Sequence, residues 1–130
     1  NQQSELGLFP QGILDKEVSF LKNLKNKIYY TSRLDVQTDF GIMLLKFYEL
    51  TKNKAYLNSC KKLIEGVIKY HKCNNGYVDF VDTKNKEKSG YIIETKFLFL
   101  FTKLLICINE IEKGNKIYQN NLLKDLIRDR

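Results

Sequence analysis

The stretch Leu44-Leu-Lys-Phe-Tyr-Glu-Leu-Thr-Lys-Asn-Lys-Ala-Tyr-Leu57 spans the end of one predicted helix, a short turn and the start of the next. Upstream of it, apolar residues recur at spacings of three and four, which predicts an inner helix that is apolar on most of its circumference. Downstream, Asn53 is a good N-cap for a helix with apolar residues on one side and lysines on the other. The stretch therefore predicts an antiparallel helical hairpin, with helices over 36–50 and 54–70.

A second hairpin repeats this order farther along the chain. Tyr77-Val-Asp-Phe-Val81 alternates in polarity and predicts one short strand, and 82–89 predicts a charged turn. The nearly continuous apolar run 91–111 predicts another inner helix, which begins 55 residues after the first one. We also expect a short first helix over 13–24 and a final amphipathic helix over 118–127.

Composition narrows the class of protein. The 130 residues fit one domain, and 43% apolar with 28% charged residues is typical of globular proteins. The +7 charge is spread over lysines on all predicted helices, so we predict a solvated surface and no nucleic-acid partner. No apolar run is long enough for a membrane span. Cys60, Cys73 and Cys107 lack metal-ligand spacing and predict structural, reduced thiols, no metal or other cofactor, and a cytoplasmic location.

The quoted stretch resembles a known hairpin. Its leucine-rich helix, Tyr-Glu-Leu-Thr, short turn and Tyr-Leu are similar to the repeat of α/α-toroid carbohydrate enzymes, which include unsaturated glucuronyl hydrolases, N-acylglucosamine epimerase-like proteins and glucuronyl C5-epimerases. Lys61-Lys-Leu, His71 and Gly76-Tyr-Val-Asp79 are similar to the outer helix and long loop of the same unit. The resemblance covers about residues 30–112, and terpenoid-cyclase-like proteins share its motif.

The resemblance implies an all-α fold of antiparallel helical hairpins of α/α-toroid type, with one short β segment in a long loop. Six such hairpins would need roughly 330 residues. We therefore expect residues 1–130 to be a single helical domain that is a fragment, or the C-terminal part, of a larger toroid. The alternative is a small helical bundle that borrows the hairpin.

The resemblance also implies a cleft lined by the long loops and the starts of the inner helices. It would make Asp35 and Glu94 a catalytic acid and base pair. The implied substrate-binding residues are Arg33, which would hold a carboxylate, and Gln37, Tyr77, Asp79 and Tyr91. The structural alternatives are that Asp35 is an N-cap and that Glu94 is a first-turn carboxylate favoured by the helix dipole. For His71 we expect a helix C-terminal or surface position.

Two functions follow as hypotheses. The first is part of a carbohydrate-active toroid protein, a hydrolase or epimerase that acts on a uronic-acid-type or amino sugar. The second is a non-catalytic helical scaffold or interaction module, whose inner helices self-associate or dock against the remainder of a larger chain. A cleft-facing arrangement of Arg33, Asp35, Asp79 and Glu94 would favour the first hypothesis.

Overall fold

The chain combines helices with an antiparallel sheet in a computed structural model that describes residues 3–10, 31–92 and 95–117, with only the backbone for 91–92 and 95–97. In chain order its elements are β1 (Thr31–Arg33), α1 (Leu34–Thr51), α2 (Lys54–Gly66), a π-helical turn (Val67–His71), β2 (Lys72–Cys73), β3 (Gly76–Asp82), β4 (Lys88–Ile92) and α3 (Thr95–Glu112).

The predicted hairpin of α1 and α2 is confirmed, and local chemistry explains its turn. Lys52 ends α1 in the left-handed region (φ 56°), and its N–H donates to the carbonyl of Tyr48. The side chain of Asn53 accepts a hydrogen bond from the N–H of Ala55 at 3.0 Å and so caps α2. The predicted second inner helix is also present, but α3 begins at Thr95.

The expectation of an all-α fold of toroid-type hairpins is wrong, because the described residues contain a four-stranded antiparallel sheet. The strand predicted at Tyr77–Val81 is the centre of this sheet: β1 and β2 pair with successive parts of β3, and β4 pairs with Val78–Val81. Strands of two or three residues, such as β1 and β2, are too short to show alternation in the sequence. The predicted turn over 82–89 and the predicted helix start at Tyr91 overlap β4.

The core lies where α1 packs against α2 and α3. A Cβ at Gly41 would lie 2.5 Å from the Cδ2 of Leu104, so the missing side chain lets α3 approach α1 closely. On the α2 side of Gly41, the thiol of Cys60 lies 3.6 Å from the carbonyl of Gly41.

Cys60 and Cys107 are buried, which confirms that they pack as small apolar side chains. Burial raises the pKa of Cys60 to about 12 and that of Cys107 to about 11, so both thiols are protonated.

Residues 3–10 form an N-terminal strap across α2. Gln37 of α1 clamps the strap by accepting from the N–H of Phe9 at 2.8 Å and donating to its carbonyl at 2.7 Å. Two glycines allow backbone to meet backbone: a Cβ at Gly7 would lie 2.2 Å from the carbonyl oxygen of Lys62, and one at Gly66 would lie 2.4 Å from that of Leu6. The strap is therefore held by hydrogen bonds and by the absence of two side chains.

The helices predicted over 13–24 and 118–127 lie outside the described residues. Within the part of the chain that is described, none of the helices has the length and apolar character needed to cross a membrane.

Gly7→Ala should lower the free energy of unfolding by about 2 to 4 kcal/mol, because it combines a left-handed φ with overlap against the Lys62 carbonyl. Gly114→Ala is the matched control, since Gly114 has φ +84° against +81° for Gly7 but nothing within 4 Å of the position that a Cβ would take. It should cost about 1 to 2 kcal/mol. Urea unfolding of both variants measures the difference. Equal losses would contradict the close contact between strap and helix.

Candidate functional site

The junction between β1 and α1 carries an arginine–carboxylate pair. Arg33 is the N-cap residue of α1 but makes no side-chain cap. Its Nε and Nη2 instead donate to the two oxygens of Asp35 at 3.1 and 2.6 Å. Asp35 also accepts from the N–H of Val36 at 2.8 Å, in the first turn where the helix dipole favours a carboxylate. Asp35 therefore stabilises the helix start from inside the first turn, not from the N-cap position.

Asp79 of β3 completes a group that we name the acid–arginine cluster: Arg33, Asp35 and Asp79. Arg33 lies opposite Phe80 in the sheet, with its guanidinium carbon 5.9 Å from the ring centroid. Partial burial raises the pKa of Asp79 and nearby Asp35 raises it further, whereas Arg33 lowers it. The strand pairing of β1 with β3 thus brings Asp79 within electrostatic range of Arg33 and Asp35, three of the residues that the toroid resemblance implied for a site.

The cluster has donors and acceptors suited to hydroxylated ligands. Asp35 uses two of the five guanidinium N–H donors of Arg33. A ligand carboxylate would therefore share Arg33 with Asp35. Two clefts, of about 380 and 250 Å³, occur elsewhere among the described residues, and no cluster residue lines either of them.

The other predicted site residues have different positions. Gln37 is fully buried and holds the N-terminal strap. Tyr77 packs its ring 5.7 Å from that of Phe101 and so joins the sheet to α3. Tyr91 lies in β4, and its side chain is outside the described set, as is all of Glu94. The proposed pairing of Asp35 with Glu94 therefore stays a prediction.

His71 has a role that the sequence did not indicate. It is the last residue of the π-helical turn, which confirms the helix C-terminal alternative, but it is fully buried, so the surface alternative is wrong. Its Nδ1 lies 2.9 Å from the carbonyl of Val78, which can only accept, so Nδ1 carries the proton. Nε2 therefore accepts from the hydroxyl of Ser32 at 3.0 Å. A lone histidine has no spacing signal, and only the packing of the π-helical turn against β1 and β3 reveals these bonds.

This Ser32–His71 pair has the distance of a nucleophile and its base. Both side chains have 0% exposure, so no substrate reaches the Ser32 hydroxyl in this structure. The pair therefore has a structural role, in which it connects the π-helical turn after α2 to β1 and β3.

A second candidate site is apolar. Met43, Phe47 and Leu50 recur at helical spacing on α1 and are exposed, as are Phe99 and Ile106 two turns apart on α3. Between the helices lies the cleft of about 250 Å³, whose lining residues are Thr38, Asp39, Ile42, Met43, Lys46, Leu100 and Lys103. We name this cleft and the five exposed side chains the α1–α3 surface. Phe47 also packs against Tyr56 of α2 with ring centroids 5.5 Å apart.

Among the described residues, no group of three His, Cys, Asp or Glu side chains is arranged to hold a metal ion.

The free energy of unfolding should fall as the pH drops from 7 to 4. Burial lowers the pKa of His71 to about 4 from 6.5, Lys88 adds to this effect, and the hydrogen bond to Val78 opposes it. Because the folded pKa is the lower one, neutral His71 favours folding above pH 6.5 and this advantage is lost toward pH 4. The shift corresponds to about 3 kcal/mol.

His71→Asn tests this assignment, because asparagine can still donate to the Val78 carbonyl but does not titrate. Urea unfolding at several pH values should give a flatter profile for the variant between pH 6.5 and 4. Parallel profiles for the two proteins would show that His71 is not the group responsible.

Comparison of the chain with protein-family models, with curated proteins and with solved structures finds no match. The resemblance to α/α-toroid carbohydrate enzymes is therefore a prediction that these comparisons leave untested. The function has to be argued from the acid–arginine cluster and the α1–α3 surface themselves.

Proposed function

We propose that this protein is an interaction module that binds an amphipathic helix with an acidic flank on its α1–α3 surface. The observation that carries the proposal is the set of large apolar side chains left exposed on the two most apolar helices. Leu50 is 79% exposed and Phe99 is 54% exposed. Contiguous apolar side chains flanking a groove are typical of surfaces that bind another protein.

The shape of the surface favours a helix as the bound element. Two helices with a groove between them present a trough, and an amphipathic helix fills such a trough with residues spaced at i, i+3, i+4 and i+7. Met43 lines the groove, Phe47 and Leu50 follow it at i+4 and i+7 on α1, and Phe99 and Ile106 are exposed on α3. Removal of these side chains from water would contribute about 25 cal/mol per Å² of buried apolar area.

Charge selects the kind of helix. Lys46, Lys103 and Asp39 line the groove, Lys103 is buried, and all three already interact with other groups of the protein. The whole chain carries a formal charge of +7, so a second copy would be repelled while an acidic partner would be attracted. An acidic amphipathic helix therefore complements both the exposed apolar side chains and the net positive charge of the chain.

Synthetic peptides of defined composition test the proposal. One has leucine at i, i+3, i+4 and i+7 with glutamate on the other face, a twin has lysine in place of glutamate, and a third is a scrambled version of the first. Fluorescence anisotropy should show binding of the acidic peptide, with a Kd at least about tenfold lower than for the lysine twin. Equal binding of the twin, or no binding of the acidic peptide, would overturn the proposal.

Ile106→Ala and Ile68→Ala make a matched pair, because these isoleucines are 40% and 43% exposed and only Ile106 belongs to the α1–α3 surface. Ile106→Ala should raise the Kd for the acidic peptide about threefold to tenfold, and Ile68→Ala should leave it unchanged. Similar losses in both variants would contradict the assigned surface. Sedimentation equilibrium that detects a dimer broken by Ile106→Ala would identify a second copy as the occupant instead.

A second candidate function rests on the acid–arginine cluster. We propose that it binds an acidic saccharide through Arg33, Asp35 and Asp79, independently of any toroid fold. The supporting observation is that β1–β3 pairing brings these three residues together, with partial burial raising the pKa of Asp79. The guanidinium of Arg33 would share its donors with a sugar carboxylate, and the two aspartates would accept from sugar hydroxyls.

Arg33→Ala should weaken the binding of glucuronic acid by about 1.5 to 3 kcal/mol, the range for hydrogen bonds to a charged group. Thermal melts of the wild type and the variant, with and without glucuronic acid and glucosamine, separate binding from folding. A ligand-dependent rise in Tm that is lost in Arg33→Ala supports the saccharide site. A lower Tm for the variant and no ligand effect in either protein would leave Arg33 with only its structural role at the start of α1.

A further inference from the structure

The larger cleft, of about 380 Å³, lies between the N-terminal strap and the α2 segment. Its volume is at the lower end of the range of about 300 to 1,000 Å³ that holds small organic ligands. The strap contributes Gln3, Ser4, Glu5, Leu6 and Gly7, and the α2 segment with its π-helical turn contributes Lys62, Glu65, Gly66, Lys69 and Tyr70. None of these residues belongs to the α1–α3 surface or to the acid–arginine cluster.

Ser4 has an unsatisfied hydroxyl in the lining of this cleft. Its Oγ is buried, and no described residue forms a hydrogen bond with it. A buried polar group without a partner costs about 1 to 3 kcal/mol, and native proteins contain few such groups. The backbone of Ser4 is fixed by hydrogen bonds to Leu8 and Gly7 at 2.8 and 2.9 Å. Because the Oγ is buried, the side chain has to rotate about χ1 to present the hydroxyl to a ligand in the cleft.

Close backbone packing and side-chain hydrogen bonds also hold the walls of the cleft in place. Gly7 and Gly66 allow the strap and α2 to touch through their backbones, and Gln3 donates to the carbonyls of Gly7 and Ser59 at 2.6 and 2.9 Å. The opposite wall includes part of the π-helical turn Val67–His71, a distortion that recurs at functional sites. The cleft is thus preformed, which reduces the entropic cost of binding.

Charges of both signs surround the opening. Glu5 and Glu65 supply carboxylates, and Lys62 and Lys69 supply ammonium groups. The ammonium of Lys69 lies 5.3 Å from the ring centroid of Tyr70, a cation–π distance that keeps it beside the cleft. A small ligand with one charge of each sign would pair with both sets, whereas a ligand with a single charge would leave one set unmatched.

We propose that this cleft binds a small zwitterion of the free α-amino acid class, whose ammonium pairs with Glu5 and Glu65, whose carboxylate pairs with Lys62 and Lys69, and which gives Ser4 Oγ its hydrogen-bond partner. This site is separate from the proposed partner and saccharide sites, and it can exist whether or not either of those proposals holds.

An NMR titration of the full chain tests the proposal, with the twenty amino acids first as mixtures and then singly. At least one should shift the amide signals of residues 3–7, 69 and 70 saturably at millimolar concentrations or below. The N-acetyl and methyl-ester derivatives of that amino acid, each with a single charge, should bind at least about tenfold more weakly. No saturable shift at these amides, or equal binding of a derivative, would overturn the proposal.

Three variants locate the contact. Ser4→Ala and Glu65→Gln should each raise the Kd for that amino acid about fivefold to tenfold, whereas Glu87→Gln, on the exposed turn before β4, should not change it. Ser4→Ala should leave the Tm of the ligand-free protein unchanged or higher, because it removes an unsatisfied hydroxyl. An unchanged Kd in both Ser4→Ala and Glu65→Gln would show that the amino acid binds elsewhere.

Discussion

The two hydrogen bonds of the His71 ring hold the sheet against the helices. Nδ1 is bonded to β3 and Nε2 to Ser32 of β1, while the histidine itself ends the π-helical turn that continues α2. Because α1 begins directly after β1, the position of β1 fixes where this 18-residue apolar helix starts. The same bonds place β3, whose hairpin with β4 leads the chain toward α3. The neutral, buried ring of His71 thus links β1, β3 and the π-helical turn. Whether the ring is neutral depends on the pH.

Close backbone contacts make a second set of constraints. The N-terminal strap lies on α2 because Gly7 and Gly66 leave room for carbonyl groups, and α3 lies on α1 because Gly41 leaves room for Leu104. Gln37, for which the toroid resemblance implied a substrate contact, instead forms two hydrogen bonds with the backbone of Phe9, as a paired strand would. These contacts depend on three glycines and on one side-chain amide, so a hydrophobic pattern alone does not predict them.

The two proposed functions depend on whether the residues of each site already have partners within the protein. Arg33 and Asp35 largely satisfy each other, so their proximity to Asp79 is compatible with a binding role and is also sufficient for a structural one. The five exposed apolar side chains of the α1–α3 surface instead remain in contact with water, which is unfavourable for apolar groups. This difference is why the interaction module ranks ahead of the saccharide site.

The sequence by itself determined α1, α2 and most of α3, the Asn53 cap, the strand at Tyr77–Val81 and the burial of Cys60 and Cys107, since each depends on local spacing or on residue type. The resemblance to toroid enzymes implied that Arg33, Asp35 and Asp79 belong to one site, together with Gln37, Tyr77, Tyr91 and Glu94. Only the tertiary structure decided that β1, β2 and β4 join β3 in a sheet, that Gln37 and His71 are internal, and that Ser4 lacks a partner among the described residues. Those features arise from contacts between residues far apart in the chain. Such contacts produce no periodic pattern in the sequence of either segment alone.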